Sequence, residues 1–429
     1  MSLTISQPLQ LPCGATLKNR IAKAALTEGL ADAATNNATE RHCLLYRRWS
    51  EGGAGLLITG NVQVDRRFLE RPGNVAIDGF ARGNAMAALR RYAEAGTSAG
   101  NHLWMQLNHP GRQTPGHVHP SPLAPSAAPL ALPGFGQPVA MTQADIDHLI
   151  ARFAEAAAVA REAGFTGVQV HAAHGYLLSQ FLNPRANHRS DRWGGALENR
   201  ARALLEVVRA VRRAVGAAFP VSVKLNSSDF QQGGFSTEDC LQVVAWLAQE
   251  GIDLLEVSGG TYEQPRMVVA GRVPMKDSTR KREAYFLDYA AGIRAACDTP
   301  LMVTGGFRSC AAMNSALEAG EVDVIGLGRP LITKPDAPRQ LLAGTMPVLP
   351  AHELSLRIDE RELAEEEREG AKMWSIQGWF AVQMLRMGDG LDPDPALTAV
   401  DAFRQYHANE LEAARQRDAA LTTGKEARQ

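Results

Sequence analysis

Residues 145–172, DIDHLIARFAEAAAVAREAGFTGVQVHA, contain the unit that decides the fold. The first part, 145–164, repeats apolar residues with the period of an amphipathic helix, and Thr142 stands before it as a predicted cap. The last part, GVQVHA (167–172), is typical of a short strand buried on both faces of a parallel sheet. Because a helix followed by a buried strand is the repeating element of α/β folds, the unit should recur along the chain.

The unit does recur. Amphipathic helices are predicted at 145–164, 196–216, 237–251 and 309–320, with Thr237 as a second predicted cap. Eight alternating strands favour a (β/α)8 TIM barrel, with an open doubly wound sheet as the alternative. No G-x-G-x-x-G motif follows a strand, so a dinucleotide-binding Rossmann domain has no support. The predicted strands are RIAKAAL (20–26), GLLITGN (55–61), HLWMQLN (102–108), GVQVHA (167–172), PVSVKLN (220–226), DLLEVSG (253–259), PLMVTGG (300–306) and DVIGLGR (323–329).

Segments outside this alternation complete the predicted architecture of an N-terminal extension, a barrel and a helical tail. A long loop rich in Pro, Gly and Ser follows the third strand, and on the C-terminal face of a barrel it would lie over the active site. Residues 1–345 are predicted as the barrel domain and 346–429 as a C-terminal helical extension. The extension has an apolar face around Trp379 and is expected to pack on the barrel or on a neighbouring subunit.

Composition narrows the function classes. The formal net charge is −1, so neither nucleic-acid nor membrane-surface binding is expected, since both favour a basic excess. The five cysteines show no C-x-x-C spacing, which argues against a disulfide framework, a zinc knuckle or a clustered iron–sulfur site. With neither a signal peptide nor a long apolar run, we expect a cytoplasmic protein that acts on a small molecule.

Polar residues and glycines collect at the predicted carboxyl ends of the strands, where barrel enzymes hold their active sites. The loops VTGGFRS and GLGRPLI follow the seventh and eighth strands, the usual phosphate position, although glycines there could simply form tight turns. Arg329 could add a bidentate contact to an anion. The strand-end set is Thr27, Gly60, Gln106, His171, His174, Tyr176, Lys224, Gly305, Gly306, Gly328 and Arg329.

The pair His171 and His174 admits several interpretations. If the chain turns helical after the strand, both imidazoles face one side and can bind an oxygen that gains negative charge. Tyr176 could then deliver a proton as a general acid. A metal site would need a third ligand, and the other strand ends offer no carboxylate or cysteine. All three side chains could also be structural.

Residues 171–200 resemble the signature of the old yellow enzyme family, whose members are flavin-dependent ene-reductases on a (β/α)8 barrel. The sequence of this segment is HAAHGYLLSQFLNPRANHRSDRWGGALENR. The resemblance extends through KNRIAKAALT, QLNHPGR, TGG and GLGRP and covers about residues 5–340. The His-x-x-His pair is similar to that of bacterial branches of the family. The resemblance implies FMN as cofactor, NADH or NADPH as reductant, and an enone, enal or nitro compound as substrate.

The resemblance also implies a role for each matching residue. His171 and His174 would bind the electron-withdrawing group of the substrate, and Tyr176 would protonate the adjacent carbon. Gln106 would bond the pyrimidine edge of the flavin and Lys224 would lie near N1 and C2=O. The remaining implied cofactor contacts are the ring contacts Ala25, Thr27 and Gly60 and the phosphate contacts Gly305, Gly306, Gly328 and Arg329.

The sequence departs from the family pattern at several positions. Lys224 stands where arginine is usual and Ala25 where proline is frequent, and Arg192-Trp193 replaces an acidic residue and a tyrosine. Glu28-Gly29 replaces residues that often line the substrate pocket. A metal-dependent barrel hydrolase and a flavin-binding redox module without ene-reductase activity are the other candidate functions. The candidate assembly is a homodimer or a larger homo-oligomer.

Overall fold

The computed structural model describes residues 3–79, 83–263, 283–284 and 286–426. Its centre is a closed barrel of eight parallel strands, in which the first strand pairs with both the second and the eighth. The (β/α)8 prediction is therefore confirmed, and the open-sheet alternative is wrong. Each predicted run holds one barrel strand; in chain order β1–β8 are Ile21–Lys23, Leu56–Gln63, His102–Asn108, Gly167–Ala172, Val221–Asn226, Leu254–Ser258, Leu301–Thr304 and Val324–Leu327.

Helices follow the strands around the outside of the barrel. Thr142 caps its helix as predicted, accepting a hydrogen bond from the Asp145 amide at 3.2 Å. The predicted cap Thr237 is wrong, because Ser236 has the extended backbone and accepts the Asp239 amide at 3.1 Å. The helices α1–α12 are Glu40–Glu51, Asn84–Thr97, Gln143–Glu162, Leu177–Leu182, Leu197–Val215, Thr237–Gln249, Ala290–Ala296, Cys310–Glu318, Pro330–Thr333, Ala337–Leu342, Glu365–Gly388 and Ala399–Glu426.

An apolar plug fills the barrel interior near the amino ends of the strands. The N-terminal extension closes it with two short antiparallel strands, Leu9–Gln10 and Thr16–Leu17. A side chain at Gly167 would lie 2.4 Å from the Trp104 indole, so glycine leaves the room that the indole occupies. The buried residues of the plug include Leu11, Leu17, Ile58, Trp104, Leu254 and Met302.

Above the plug the barrel interior is polar, which the apolar appearance of the strands did not predict. Gln169 accepts a hydrogen bond from Gln106 at 2.7 Å and donates one to Glu256 at 2.9 Å. Glu256 also pairs with the Lys224 ammonium at 2.9 Å and accepts the Thr304 hydroxyl at 2.6 Å. All five side chains are buried, and leaving one unpaired would cost about 1–3 kcal/mol. This network forms a rigid polar floor at the carboxyl ends of the strands.

The two C-terminal helices pack on their own barrel. Helix α11 lies against α1 and α9, and α12 lies against α11. Trp379 of α11 is fully buried and donates its indole N–H to the Leu397 carbonyl at 2.8 Å. Of the two predicted positions for the extension, the structure shows the one on the barrel, whereas the division into domains 1–345 and 346–429 stays a prediction. Among the described residues, no helix has an apolar stretch long enough to cross a bilayer.

Candidate active site

The carboxyl ends of the strands open into one cavity, which collects most of the predicted site residues. A second, smaller cavity adjoins it, and the two share Ala25, Leu26 and Arg329 in their linings. Gly305, Gly306 and Gly328 line the second cavity. The predicted residues that line the first are Ala25, Thr27, Gln106, His171, His174, Tyr176, Lys224 and Arg329.

Gly60 lies behind the cavity wall rather than in it. A Cβ at this position would lie 2.2 Å from the Glu28 carboxylate and 2.6 Å from the Leu26 carbonyl. Glu28 is buried there, accepting the Gly60 amide at 2.8 Å and the hydroxyl of Tyr46. Glu28 is therefore part of the packing between the loop after β1 and the strand β2, and the predicted ring contact of Gly60 stays a prediction.

The histidine pair is brought together by a left-handed turn, not by the expected helical turn. His174 has a φ of 62°, and α4 begins only at Leu177. His171 Nε2 lies 3.1 Å from His174 Nδ1, His171 Nδ1 lies 2.8 Å from Asn61 Oδ1, and His174 Nε2 lies 2.9 Å from the Ser258 hydroxyl. The pair is thus held at both ends, by strand β2 on one side and strand β6 on the other.

The partners of the pair determine where its protons lie. The Asn61 amide group donates to the Glu70 carboxylate at 2.5 Å, so its oxygen must accept from His171 Nδ1–H. Burial, followed by the charges of His174 and Lys224, keeps the pKa of His171 well below its ordinary value. Neutral His171 therefore accepts the His174 Nδ1–H at its Nε2. In this state one N–H lies between the rings, whereas the sequence suggested two that converge on an open point.

Tyr176 belongs to a second chain of hydrogen bonds. Its hydroxyl lies 2.9 Å from the hydroxyl of Tyr262, which donates to the Glu70 carboxylate at 3.3 Å. Burial raises the pKa of Tyr176 well above its ordinary value, and the nearby Glu70 and Tyr262 raise it further. The phenol therefore keeps its proton at neutral pH, as a general acid requires.

Glu70 joins these two chains. Its Oε2 accepts Asn61 and, at 3.1 Å, the Thr27 hydroxyl, while its Oε1 accepts Tyr262. Sequence reasoning missed Asn61, Glu70, Ser258 and Tyr262. Asn61 and Ser258 stand at strand ends, so the rule that selected His171 could have found them. Glu70 and Tyr262 lie on loops, and no local pattern marks them.

Lys224 lines the cavity as expected but is not an isolated cation. Strand register places it beside His171 on one neighbour and Glu256 on the other. Its ammonium pairs with Glu256 at 2.9 Å, and both side chains are at most 2% exposed. The carboxylate fixes the position of an ammonium that, on its flexible stem, has no planar fork of its own. The predicted contact of Lys224 with flavin N1 and C2=O stays a prediction.

The loop after β7 already holds an anion. Gly305 and Gly306 have φ values of 117° and 101°, a conformation that favours glycine. The amides of Arg308 and Ser309, at the start of α8, hold the Glu283 carboxylate at 2.8 and 2.7 Å. This carboxylate is an internal stand-in for an anion at a helix N-terminus, which is the position where barrel proteins bind phosphate.

Two guanidinium groups stand beside the same loop. Arg329 lies 3.5 Å from the Glu353 carboxylate, and Arg308 also pairs with it. Together with the glycine turn and the anion-holding amides, they form a donor set that fits an FMN phosphate. The polar side chains Gln106 and Lys224 in the adjoining cavity fit the pyrimidine edge of its ring.

The barrel is closed, and a set of phosphate-binding groups follows β7 and β8. The polar cavity beside that set contains a neutral histidine pair and a protonated phenol. Together these features define a flavin mononucleotide oxidoreductase. Residues 4–346 match the family model described as the NADH:flavin oxidoreductase / NADH oxidase family, and the chain belongs to this family. FMN is its cofactor, and NADH or NADPH is the reductant. The alternative of a metal-dependent hydrolase is therefore wrong. No cluster of His, Cys, Asp and Glu suited to a metal ion occurs in the described part of the chain.

Known proteins similar to this chain include curated enzymes and solved structures. The NADH-dependent flavin oxidoreductase iliE of Neonectria sp. (strain DH2) is 38% identical over 361 residues, which cover 79% of this chain and 47% of that protein. The chain thus spans about half the length of that relative. The NADH-dependent flavin oxidoreductase iccE of Talaromyces variabilis is 37% identical, with coverages of 79% and 86%.

Solved structures agree with the predicted resemblance. An old yellow enzyme homologue from Zymomonas mobilis has a TM-score of 0.67 at 26% identity and covers 84% of this chain and 98% of its own. A 2-naphthoyl-CoA reductase complex has a TM-score of 0.73 at 25% identity, with coverages of 80% and 52%. The resemblance to the old yellow enzyme family is confirmed, while the bacterial placement of the histidine pair stays a prediction.

Proposed function

We propose that the protein is an ene-reductase, which reduces the activated C=C bond of an enone, enal or nitroalkene with electrons from NADH or NADPH. One observation carries the proposal: a histidine pair and a buried tyrosine line the same cavity and are both linked to Glu70. Burial lowers the pKa of His171 and His174 and raises the pKa of Tyr176, which favours the neutral form of all three. In this arrangement the histidine pair can bind an oxygen that gains negative charge, and the tyrosine can donate a proton to a carbon.

The histidine pair binds the activating oxygen of the substrate. FMN held beside Gln106, Lys224 and Arg329 would supply the hydride chemistry that the β-carbon requires. As negative charge develops on the substrate oxygen, that oxygen competes with His171 Nε2 for the His174 Nδ1–H. A second N–H, from His171, requires its proton to move from Nδ1 to Nε2, which breaks the bond to Asn61. We therefore expect His174 to contribute more than His171 to binding the oxyanion.

Tyr176 completes the addition of hydrogen. Its proton goes to the α-carbon, and the hydroxyl of Tyr262, 2.9 Å away, can turn to donate to the phenolate that remains. Solvent then returns the proton through Tyr262. Because Tyr176 and the histidine pair line the same cavity, one bound alkene can meet both groups at once.

The test is the double variant His171→Ala, His174→Ala in the FMN-loaded protein. FMN should stay bound, because neither ring lines the phosphate cavity. Phenol binding, followed by the change in flavin absorbance, and enone turnover should both fall at least about 100-fold. Enone turnover equal to that of the parent protein would show that the pair has no such role. A parent protein that binds FMN but is reoxidised by no activated alkene would instead be a redox module.

A further inference from the structure

We propose that helix α11 forms the substrate-selective wall of the cavity and that the preferred alkene carries an apolar aryl or branched alkyl group that packs on it. The proposal rests on the proposed function and adds the shape of the substrate. It also gives the C-terminal extension a role in the active site.

The wall is the face of α11 that lines the cavity together with His171 and Tyr176. Ile376, Phe380 and Met384 are spaced four residues apart and so lie on one side of the helix. Phe380 and Met384 are 5% and 4% exposed, which leaves them rigidly packed. A face of this kind offers dispersion and hydrophobic contact but no fixed charge. The α11 residues that line the cavity are Ile376, Gln377, Phe380, Ala381 and Met384.

The wall is held firmly over the catalytic residues. Arg71 follows Glu70 on the loop after β2, is buried, and pairs with Glu410 of α12 at 2.6 Å. The same guanidinium lies 5.0 Å from the centre of the Tyr406 ring. Trp374 of α11 lies with its ring 6.2 Å from that of Tyr262, the partner of Tyr176. The extension therefore contacts the loops that carry the proton-donating chain.

Further contacts hold the far end of α11 and the middle of α12 on the barrel. Arg41 of α1 pairs with Asp389 at 2.7 Å, and Arg417 of α12 donates to the carbonyls of Val118 at 3.0 Å and Arg66 at 3.2 Å. Because both helices are anchored to the barrel, the wall acts as a fixed surface whose shape can select among substrates.

The wall comes from a different part of the sequence than the catalytic residues. The family match ends at residue 346, whereas α11 begins at Glu365. The catalytic side chains thus come from the matched region and the apolar wall from residues beyond it. Substrate range can then change through α11 without any change in the histidine pair or in Tyr176.

The experiment uses Phe380→Ala and Met384→Ala in the FMN-loaded full chain, with Leu391→Ala as the control. Leu391 belongs to the same extension, is 52% exposed and does not line the cavity. Two enones with the same activating carbonyl are compared, compact 2-cyclohexenone and the aryl enone 4-phenyl-3-buten-2-one. We expect kcat/KM for the aryl enone to fall about 10-fold or more and that for the compact enone to change less than about 2-fold. The control should change neither value.

Equal losses for both enones, no change for either, or a gain for the aryl enone would overturn the proposal. A readout without turnover separates this result from the proposed function: the dissociation constants of phenol and 4-phenylphenol, measured from the flavin absorbance. The parent should bind 4-phenylphenol more tightly, and Phe380→Ala should lose that preference even if no enone is reduced. An unchanged preference would contradict the proposal that α11 selects the substrate. FMN content and Tm, compared with those of Leu391→Ala, show that the variants are folded.

Discussion

The two sides of the cavity differ in chemistry. The barrel side is one continuous series of hydrogen bonds, and each member has a partner that fixes its proton. The α11 side is apolar in four of the five residues that line the cavity. The barrel series consists of Ser258, His174, His171, Asn61, Glu70, Tyr262 and Tyr176.

This difference indicates how the two tasks are divided. Proton transfer and charge stabilisation need donors held within a few tenths of an ångström, and a hydrogen-bonded series anchored on barrel strands provides them. Selection of a substrate needs a complementary shape, which packed apolar side chains provide. Substitutions on the barrel side should therefore change rates for every substrate, and those on α11 should change the ranking of substrates.

The largest effect is expected from Tyr176→Phe, which removes the proton donor but keeps the ring. Reoxidation of the reduced enzyme by an enone should slow by about 100- to 10,000-fold. FMN binding should be retained, because Tyr176 does not line the phosphate cavity. Stopped-flow absorbance after anaerobic mixing measures the rate, and both enones should be affected alike. A rate close to that of the parent would remove Tyr176 from the mechanism.

The next largest effect distinguishes the contributions of the two histidines to enone turnover. His174→Ala should lower enone turnover by about 100-fold, because it removes the N–H that can reach the substrate oxygen without a tautomer change. His171→Ala should have a smaller effect, since its own N–H is bound to Asn61 at 2.8 Å. Comparing kcat/KM for the two single variants checks this order. The reverse order would contradict the proton positions derived from Asn61 and Glu70.

Glu70→Gln should cost about 10-fold in kcat/KM for both enones, since a hydrogen bond to a charged group contributes about 1.5–3 kcal/mol. The amide keeps the shape of the side chain but no longer offers two accepting oxygens to Asn61, Thr27 and Tyr262. Glu410→Gln is the matched control, because it alters the anchor of α12 and leaves the series intact. A larger loss from Glu410→Gln on the compact enone would contradict the division between the two sides.

The smallest effect concerns stability at low pH and involves only the barrel side. The pKa of His171 is lowered in the folded protein, chiefly by burial, so the unfolded chain takes up a proton first as the pH falls below about 6.5. Folding stability should then decrease by up to about 1.4 kcal/mol per pH unit for this histidine. Urea unfolding between pH 7 and pH 5 should show a shallower decrease for His171→Asn. An equal slope would mean that the imidazole is not held neutral.

The barrel was predictable because its signals are local. Each of the eight strands is a short apolar run, and the motif around His171 can be identified without knowing any distant contact. The polar floor was not predictable, because Glu256 lies within an apolar run and its partners Lys224 and Gln169 come from other strands. Glu70 and Tyr262 meet only after two loops converge.

The C-terminal extension also has contacts that the sequence alone does not predict. Its apolar face was evident in the sequence, but α11 is apolar on more than one side. Trp379 faces the Leu397 carbonyl and the core, whereas Phe380 and Met384 face the cavity. Periodicity indicates that such a helix is buried, and only the fold shows which residues line the cavity.

The central claim is that the FMN-loaded protein reduces an activated alkene with the help of the hydrogen-bonded residues on the barrel side. Its most direct test is to reduce the FMN-loaded protein with NADH under anaerobic conditions and then add 2-cyclohexenone. The absorbance of oxidised flavin should return in proportion to the enone added, and the saturated ketone should form in the same amount. Flavin that stays reduced in the presence of the enone, yet is reoxidised when oxygen is admitted, would contradict the claim.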